Sequence, residues 1–500
     1  MLFTTAVFAC MYLPVVWLVF FSVGRVSYDG AAAWLFLASL FFYGWWMPEY
    51  TLLLLGSICG NYFVGMRIAR VMDRRDASAG AGRAAGKVWM IAGIAGNLAL
   101  LGYFKYANFF VKSLDAALGV DWQIGHVILP IGISFFTFTQ IAFLADAWQK
   151  GVRELKFIHY GVFVTYFPHL IAGPVLHHAQ MMPQFRPAKT YRIDGGQVAA
   201  GIAIFAIGLI KKVVLADGIS PYADAVFHPA DAGHAVDAIE AWLGAMSYTF
   251  QLYFDFSGYS DMAIGLSWMF NVRLPFNFDS PYRAANISDF WRRWHMTLSA
   301  FLRDYLYVPL GGNRKGPARR YVNLMITMLL GGLWHGASWT FVFWGGLHGV
   351  YLAAHQGWRA LLGAPAMQHL DANRFYRLTA WALTMLLVVI AWVFFRAVTF
   401  EGALRMLRGM AGLEGVAAVQ PLLWNAGLHA QTGAIWCLAL GVIAFLAPNS
   451  NRIGNSLLAQ CARGGGRAAF IGGVAVAAAL LLVLINTVRD SVSAFIYFNF

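Results

Sequence analysis

The segment 331–339 places a histidine, His335, inside an otherwise apolar and aromatic stretch. Imidazole exchanges protons near neutral pH and is suited to act as a general base or acid. An ionisable side chain at membrane depth is costly, so it marks a candidate functional site. The alternative is a core histidine that hydrogen-bonds across helices. If His335 takes part in chemistry, the chain is a membrane-embedded enzyme.

A second polar block lies within the apolar stretch 251–261. One interpretation is a polar helix break that neighbouring backbone satisfies, and the other is the lining of a polar cavity. The residues predicted to line such a cavity are Asp255, Ser257, Tyr259 and Asp261.

A third block, 290–304, is basic and aromatic. If it forms one helix, Arg292, His295, Ser299 and Arg303 share a face because they are three or four residues apart. Such a helix could lie on the cytoplasmic leaflet with its arginines facing lipid phosphates. It could also form a basic entrance for a phosphate-bearing donor, and the two interpretations are compatible.

Composition identifies the chain that positions these blocks as a membrane protein. Of its 500 residues, 60% are hydrophobic and 12% are charged, against about a quarter charged in soluble domains. Segments of about 20 apolar residues predict an all-α polytopic protein with roughly eleven or twelve membrane segments. The net charge of +13 is explained by basic cytoplasmic loops, and no module suited to nucleic acid is present.

Charge and proline placement predict the topology. The basic loops 67–87 and 282–320 are expected inside, and the acidic stretch 217–240 outside. The segment 157–180 contains two prolines and a glycine at 168–174. It is expected either to be re-entrant or to pair with a further segment that the sequence pattern does not identify. The tail 488–500 is expected on the outer, periplasmic side of the membrane. We expect one membrane-embedded domain over 1–500.

Other chemistries lack their sequence signals. No His, Asp or Glu grouping has metal-ligand spacing, so no metal site is predicted. No nucleophile elbow, phosphate loop or dinucleotide fingerprint is present. Four widely spaced cysteines predict neither a structural disulfide nor a redox motif.

Several short motifs together resemble the membrane-bound O-acyltransferase superfamily, in particular its bacterial polysaccharide branch. They are the Asp-bearing run 255–261, the Arg-Arg-Trp-His of 292–295, the Trp-His-Gly of 334–336 and the segment 305–312. The resemblance implies helices wrapped around a transverse tunnel. It also implies that His335 is catalytic and that His295 lies at the active-site tunnel. The expected tunnel lining adds Trp334 and Ser299 to the four residues of the second block.

The resemblance further implies the reactants. A cytoplasmic thioester, acetyl-CoA or another acyl thioester, is the expected donor, with no bound cofactor. An extracytoplasmic polysaccharide such as alginate is the final acceptor, and a periplasmic or membrane-anchored serine O-acetyltransferase of the esterase-like type is the partner. The protein is then expected in the lipid bilayer of a bacterial inner membrane. The residues expected at the donor phosphates are Arg292, Arg293, Arg303, Arg314, Lys315, Arg319 and Arg320.

The aromatic C-terminus contains one tyrosine, Tyr497. It resembles the tyrosine-bearing tail of this branch, which implies a transient acyl carrier. A phenol has a pKa of about 10 and a thiol of about 8.5, so an aryl ester retains much of the transfer potential of a thioester. The alternative is an aromatic anchor at the membrane interface.

Three other functions stay open from the sequence. The same fold could acylate a lipid or lysophospholipid directly. A buried histidine and acids could relay protons in a transporter, which would form no covalent acyl intermediate. The third option is a scaffold for an envelope complex.

Overall fold

The structure, a computed structural model, describes the chain except residues 74–78, 120–121, 123–124, 126, 172, 415–420, 464, 489–494 and 497–500. The described residues form helices and no strand, which confirms the predicted all-α class. The first helices are α1 Leu13–Gly24, α2 Tyr28–Gly44, α3 Pro48–Met72, α4 Ala79–Leu101, α5 Ala107–Leu118, α6 Ile133–Lys150, α7 Phe157–Thr165, α8 Phe167–Leu170, α9 His178–Met181, α10 Gly195–Leu209 and α11 Asp217–Asp231. They are followed by α12 Ala238–Met269, α13 Ile287–Arg293, α14 Met296–Leu302, α15 Gly316–His335, α16 Trp339–Ala372, α17 Arg374–Arg396, α18 Phe400–Met410, α19 Leu422–Asn425, α20 Ala430–Leu446, α21 Ser450–Cys461 and α22 Gly465–Val488.

The helices that are long and apolar enough to cross a membrane are fewer than the eleven or twelve membrane segments predicted from the sequence. Within the described ranges, six are long and apolar enough, and the pair α20 and α21, bent by 58°, makes a seventh. Polar side chains and breaks in the remaining helices account for the difference, as in α12, which carries Asp255 and Asp261 in its interior. The six are Val7–Gly24, Pro48–Met72, Gly80–Leu118, Gly195–Asp231, Arg374–Arg396 and Gly466–Thr487.

The chain divides into two compact units. The first comprises Met1–Leu209, Tyr259–Pro275 and Ile453–Ala494, and the second comprises Ile210–Gly258, Phe276–Arg452 and Phe495–Phe500. Both histidines of the predicted site belong to the second unit. A single domain over 1–500 stays a prediction.

The first unit contains the predicted proline break. The chain stops being helical between α7 and α8, where Tyr166 has φ −44° and ψ 107° and Pro168 follows in the first turn of α8. His169 lies in α8, fully packed, with its Nε2 3.1 Å from the carbonyl oxygen of Phe163. This histidine therefore has the structural environment expected of a core side chain.

In the second unit, the prediction of a loop over 217–240 is wrong over most of its length, whereas its placement on the outer side stays a prediction. Residues 217–231 form α11, although Pro221 and Pro229 lie within it. The carboxylates bind partners distant in sequence, which the sequence pattern does not reveal: Asp224 accepts from Arg396 at 2.6 Å, and Asp231 accepts from the Thr399 backbone N–H at 2.9 Å. The acids thus stabilise helix packing and a helix N-terminus.

Helices α15 and α16 cross at very short range through facing glycines. A Cβ at Gly332 would lie 2.3 Å from the carbonyl oxygen of Phe341, and one at Gly345 would lie 2.3 Å from that of Met328. A larger residue at either position would push the helices apart. This crossing brings the C-terminal turn of α15, with His335, against the first turns of α16.

Candidate active site

The two predicted histidines lie together in the second unit. His335 is the last residue of α15, since Gly336 turns to extended backbone with φ −160°. Its side chain is 3% exposed, that of His295 is completely buried, and their ring centroids are 6.3 Å apart. Trp334 contacts both imidazoles, at 4.9 Å and 6.0 Å. Residues distant in sequence thus form one aromatic-lined histidine pair.

Aromatic rings enclose His335 on several sides. Trp344 of α16 meets its imidazole edge-on with centroids 5.0 Å apart, and Phe395 of α17 does so at 5.3 Å. Such rings exclude water, and in a dry site a proton transfer or a developing charge is controlled by fixed protein groups.

The backbone at His295 breaks the helix predicted over 290–304. Residue 295 has φ 43° and ψ 53°, so α13 ends before it and α14 begins after it. The prediction of one continuous amphipathic helix is therefore wrong. The left-handed conformation is uncommon for a side chain other than glycine, asparagine or aspartate, and such strain often accompanies functional sites. The break turns Trp294 and His295 into the core, where both are fully buried.

Asn277 determines which nitrogen of His295 carries the proton. The Asn277 Oδ1 atom accepts from the Thr297 backbone N–H at 3.2 Å and from the Thr297 hydroxyl at 3.0 Å. Because a backbone N–H can only donate, the amide oxygen must face it. The same Oδ1 lies 3.2 Å from His295 Nδ1, which must then be the protonated nitrogen. The Nε2 atom carries a lone pair and has no hydrogen-bond partner among the described residues.

We predict that Asn277→Leu reduces the transfer rate by roughly 10- to 100-fold, part of the about 10²–10⁴-fold that a positioned acid or base contributes. The substitution removes the acceptor that fixes the His295 tautomer. Asn277→Asp, which keeps an oxygen there, should retain most of the activity. Initial rates of both variants, measured at equal folded protein, check the prediction. Equal losses in both variants would show that the hydrogen bond does not matter.

A cavity of about 610 Å³ lies in the second unit, and neither histidine of the pair is among its lining residues. Ser299 lies four residues after His295, about 6 Å along a helix, and Thr327 lies eight residues before His335, about 12 Å. A row of rings connects the two regions: Trp344 lies 4.8 Å from His348, whose Nδ1 accepts from Trp291 Nε1 at 3.3 Å. The cavity is lined by Trp291, Ser299, Leu302, Arg303, Tyr307, Asn313, Arg320, Leu324, Thr327, Met328, Leu352, Gln356, Arg359 and Ala360.

Three arginines give this cavity its charge. Arg303 and Arg320 were expected at the donor, whereas Arg359, in the interior of α16, is not recognisable from sequence. Asp304 lies 2.7 Å from Arg303 Nε, and this hydrogen bond raises the pKa of the Arg303 guanidinium, which stays cationic. Guanidinium groups bind phosphates bidentately. The cavity is therefore suited to an anionic ligand.

The other basic residues expected at the donor lie elsewhere. Arg292 donates to the Ser288 carbonyl at 3.2 Å, and Arg293 pairs with Asp289 at 3.0 Å. Arg314 and Lys315 precede α15 and are not among the lining residues, and neither is Arg319. Their contact with a donor stays a prediction.

The second polar block divides between the two units. Asp255 and Ser257 belong to the second unit, and both are 2% exposed. Tyr259 and Asp261 belong to the first, where Tyr259 stacks on Phe3 at 4.9 Å. Asp255 Oδ1 lies 2.6 Å from Lys212 Nζ. A cavity lining by these four residues stays a prediction.

Part of the C-terminal tail reaches the histidine pair. Phe495 lies 5.5 Å from Phe256, centroid to centroid, and Phe256 meets His295 edge-on at 4.7 Å. Tyr497 itself lies outside the described residues. The described ranges contain no cluster of three or more His, Cys, Asp or Glu side chains suited to a metal ion.

Comparison with known proteins identifies the family of the chain. The family model of the membrane-bound O-acyltransferase family matches residues 133–396, slightly more than half of the chain and including both histidines. A peptidoglycan O-acetyltransferase of Helicobacter pylori is 38% identical over 100% of this chain and 98% of its own length. A probable alginate O-acetylase of Pseudomonas aeruginosa is 43% identical over 82% of this chain and 75% of its own. A teichoic acid D-alanyltransferase of Bacillus subtilis is 27% identical over 46% of this chain and 60% of its own. The chain is therefore a multi-pass membrane enzyme, an O-acyltransferase that belongs to the membrane-bound O-acyltransferase family.

Proposed function

We propose that this enzyme moves an acetyl group from cytoplasmic acetyl-CoA through a bacterial inner membrane for O-acetylation of an extracytoplasmic polysaccharide. The observation that carries the proposal is the buried histidine pair. The same unit contains an arginine-bearing cavity, and tail residue Phe495 lies one ring away from His295. A relay needs these three parts: a donor site, a base and an acceptor.

The first chemical step is acyl transfer to Tyr497. The phenol oxygen attacks the thioester carbonyl while an imidazole, that of His335, takes the phenol proton. The carbon–sulfur bond breaks, the departing thiolate takes a proton, and free CoA and an acetyl-tyrosine ester result. His295, whose Nε2 carries a lone pair, is the second group able to hold that proton.

The second step regenerates the tyrosine. A serine hydroxyl of an esterase-like partner attacks the aryl ester, the tyrosine leaves as a phenol, and the acetyl group passes to the serine and then to the sugar. The aryl ester is a good donor because phenol is a far better leaving group than an alkyl alcohol. This chain carries no nucleophile elbow of its own, which supports a separate partner.

Two polysaccharides are candidate acceptors. The alginate O-acetylase relative has the higher identity, 43%, whereas the peptidoglycan O-acetyltransferase is matched over almost its whole length. Full-length correspondence favours peptidoglycan as a second candidate beside an alginate-like polymer. Direct acylation of lipid is the remaining alternative.

A deletion strain of the host tests the function and separates these acceptors. We expect O-acetyl esters, quantified by mass spectrometry after mild base release, to disappear from one polysaccharide fraction and to return with the intact gene. Loss confined to the lipid fraction would establish the lipid alternative. Unchanged ester content in all fractions would refute the proposed function.

The arginines of the cavity provide a prediction for the donor site. Arg359→Gln is expected to raise the KM for acetyl-CoA by about 10-fold or more, with little change in kcat, because one charge-assisted hydrogen bond to a phosphate is lost. Arg377→Gln, an exposed position of α17, is the matched control and should be neutral. Steady-state kinetics check both.

The same assay with acetyl-pantetheine, which lacks the nucleotide phosphates, makes the test specific. The difference between Arg359→Gln and the parent should vanish with this donor. A difference that persists would assign Arg359 a structural role instead.

A further inference from the structure

A lysine and two aspartates form a buried ionic cluster in the second unit. Lys212 lies in a π-helical turn, Ile210–Ala216, within a candidate membrane span. Its Nζ atom is 2.7 Å from Asp217 Oδ1 and 2.6 Å from Asp255 Oδ1. The side chains of Lys212, Asp217 and Asp255 are 3%, 9% and 3% exposed. Charges in such a position are expensive and are retained for function or specificity.

The cluster is more than a pair between helices, because it also binds the end of the chain. While Asp255 Oδ1 contacts Lys212, Asp255 Oδ2 accepts a hydrogen bond from the backbone N–H of Ile496 at 3.1 Å. The lysine fixes the carboxylate and leaves its second oxygen for a backbone amide. The contact joins positions 241 residues apart in sequence.

Phe256, the residue that follows Asp255, makes a second contact with the tail. Phe256 contacts the ring of Phe495, which is 1% exposed, and also the imidazole of His295. Consecutive residues of α12 therefore bind consecutive residues of the tail, one through a hydrogen bond and one through an aromatic contact. Ile496 is the residue immediately before Tyr497 in the sequence.

We propose that Lys212, Asp217 and Asp255 form a clamp for the C-terminal segment, and that the clamp limits how far Tyr497 can travel from the histidine pair. Its three members are positioning residues. The clamp binds a backbone amide, so it recognises the main chain of the tail and not a particular side chain. The catalytic consequence rests on the proposed function, whereas docking of the tail does not.

The docking can be measured without any turnover. Ile496→Cys keeps the backbone N–H and places a thiol at a position that is 9% exposed. Cleavage after Arg489 releases residues 490–500, so modification of this one cysteine by a maleimide can be followed by mass spectrometry despite the four native cysteines. We expect slow modification in the parent and a rate roughly 10- to 100-fold higher with Asp255→Asn, which weakens the charge-assisted bond.

Glu240→Gln is the matched control. Glu240 lies on the same helix, is buried, and accepts backbone N–H groups of Leu422 and Leu423 at 3.2 Å and 2.8 Å. Glu240→Gln thus removes one negative charge from a carboxylate that accepts backbone N–H groups, as Asp255→Asn does. The N–H groups belong to another segment of the chain. Reactivity at position 496 should stay at the parent level in this variant.

A second variant leaves the ionic cluster intact. Ile496→Pro removes the N–H that Asp255 accepts and also fixes φ at this position, and Ile496→Val keeps the N–H. We expect Ile496→Pro to lower kcat for tail acetylation by roughly 10-fold with unchanged KM for acetyl-CoA, and Ile496→Val to behave as the parent.

The outcomes separate the clamp from the relay. Unchanged maleimide reactivity at position 496 with Asp255→Asn overturns the clamp, whatever the activity of the variant. Increased reactivity together with no acetyl label on Tyr497 in the parent leaves the clamp standing and refutes the relay. Equal kinetics of Ile496→Pro and Ile496→Val would also contradict the clamp.

Discussion

Replacing His335 with alanine is expected to lower acetyl transfer by about 10²–10⁴-fold, because the step loses the base that takes the phenol proton. The protein should still insert and fold, since α15 ends at this residue and its helical hydrogen bonds do not use the side chain. The rate of acetyl-tyrosine formation, measured at equal detergent-extracted protein, checks the prediction.

His355→Ala is the matched control for this variant. His355 also lies in the second unit, on α16, and its Nδ1 lies 2.9 Å from the Ser288 hydroxyl. Its loss removes an imidazole without touching the enclosed pair and should change the rate by no more than a few-fold. Transfer by a well-folded His335→Ala variant at the parent rate would remove His335 from the mechanism.

His295 is best probed with asparagine, because its backbone is left-handed. Asparagine tolerates a positive φ, whereas alanine there would add about 1–2 kcal/mol of strain and mix folding with catalysis. If the two imidazoles act on the same proton, His295→Asn and His335→Ala together should cost little more than the worse single variant.

The second large effect is expected at the tail. Tyr497→Phe removes one hydroxyl and should lower acetylation of polysaccharide by at least about 10³-fold, because no covalent carrier can form. The ring is kept, so an aromatic interfacial anchor would survive the change. Acetyl content of the polysaccharide in a complemented deletion strain is the measurement.

Tyr103→Phe serves as the control for the loss of a phenol. Tyr103 lies in the first unit and is 60% exposed, as expected of an anchor position. It should leave acetylation unchanged. Normal acetylation by Tyr497→Phe would assign the tail to anchoring and would leave a direct transfer from thioester to acceptor.

The histidine pair is predictable from sequence because its signal is local. Trp-His-Gly at 334–336 and Arg-Arg-Trp-His at 292–295 are contiguous patterns in an apolar context. The all-helical fold follows from composition in the same way. The sequence patterns do not predict the backbone conformation at residue 295, because a left-handed histidine has no periodic signature. The partner of its imidazole, Asn277, lies 18 residues earlier.

The other features that the sequence does not predict depend on polar partners that are distant in sequence. Lys212 looks like an ordinary basic residue at a helix end, and only tertiary packing pairs it with Asp255. The same holds for Arg359, which reaches the cavity from α16. Asp217 and Asp224 suggest a solvated loop, since a run of acids is usually exposed, yet they pair with Lys212 and Arg396. A single sequence carries no information on such pairs.

The central claim is that an imidazole-assisted transfer leaves the acetyl group on the C-terminal tyrosine. The most direct measurement incubates the purified protein with radiolabelled acetyl-CoA, cleaves after Arg489 and locates the label by mass spectrometry. The relay predicts label on Tyr497 in the parent, and no label with Tyr497→Phe or His335→Ala. An unlabelled 490–500 fragment from protein that still acetylates polysaccharide with its partner would contradict it.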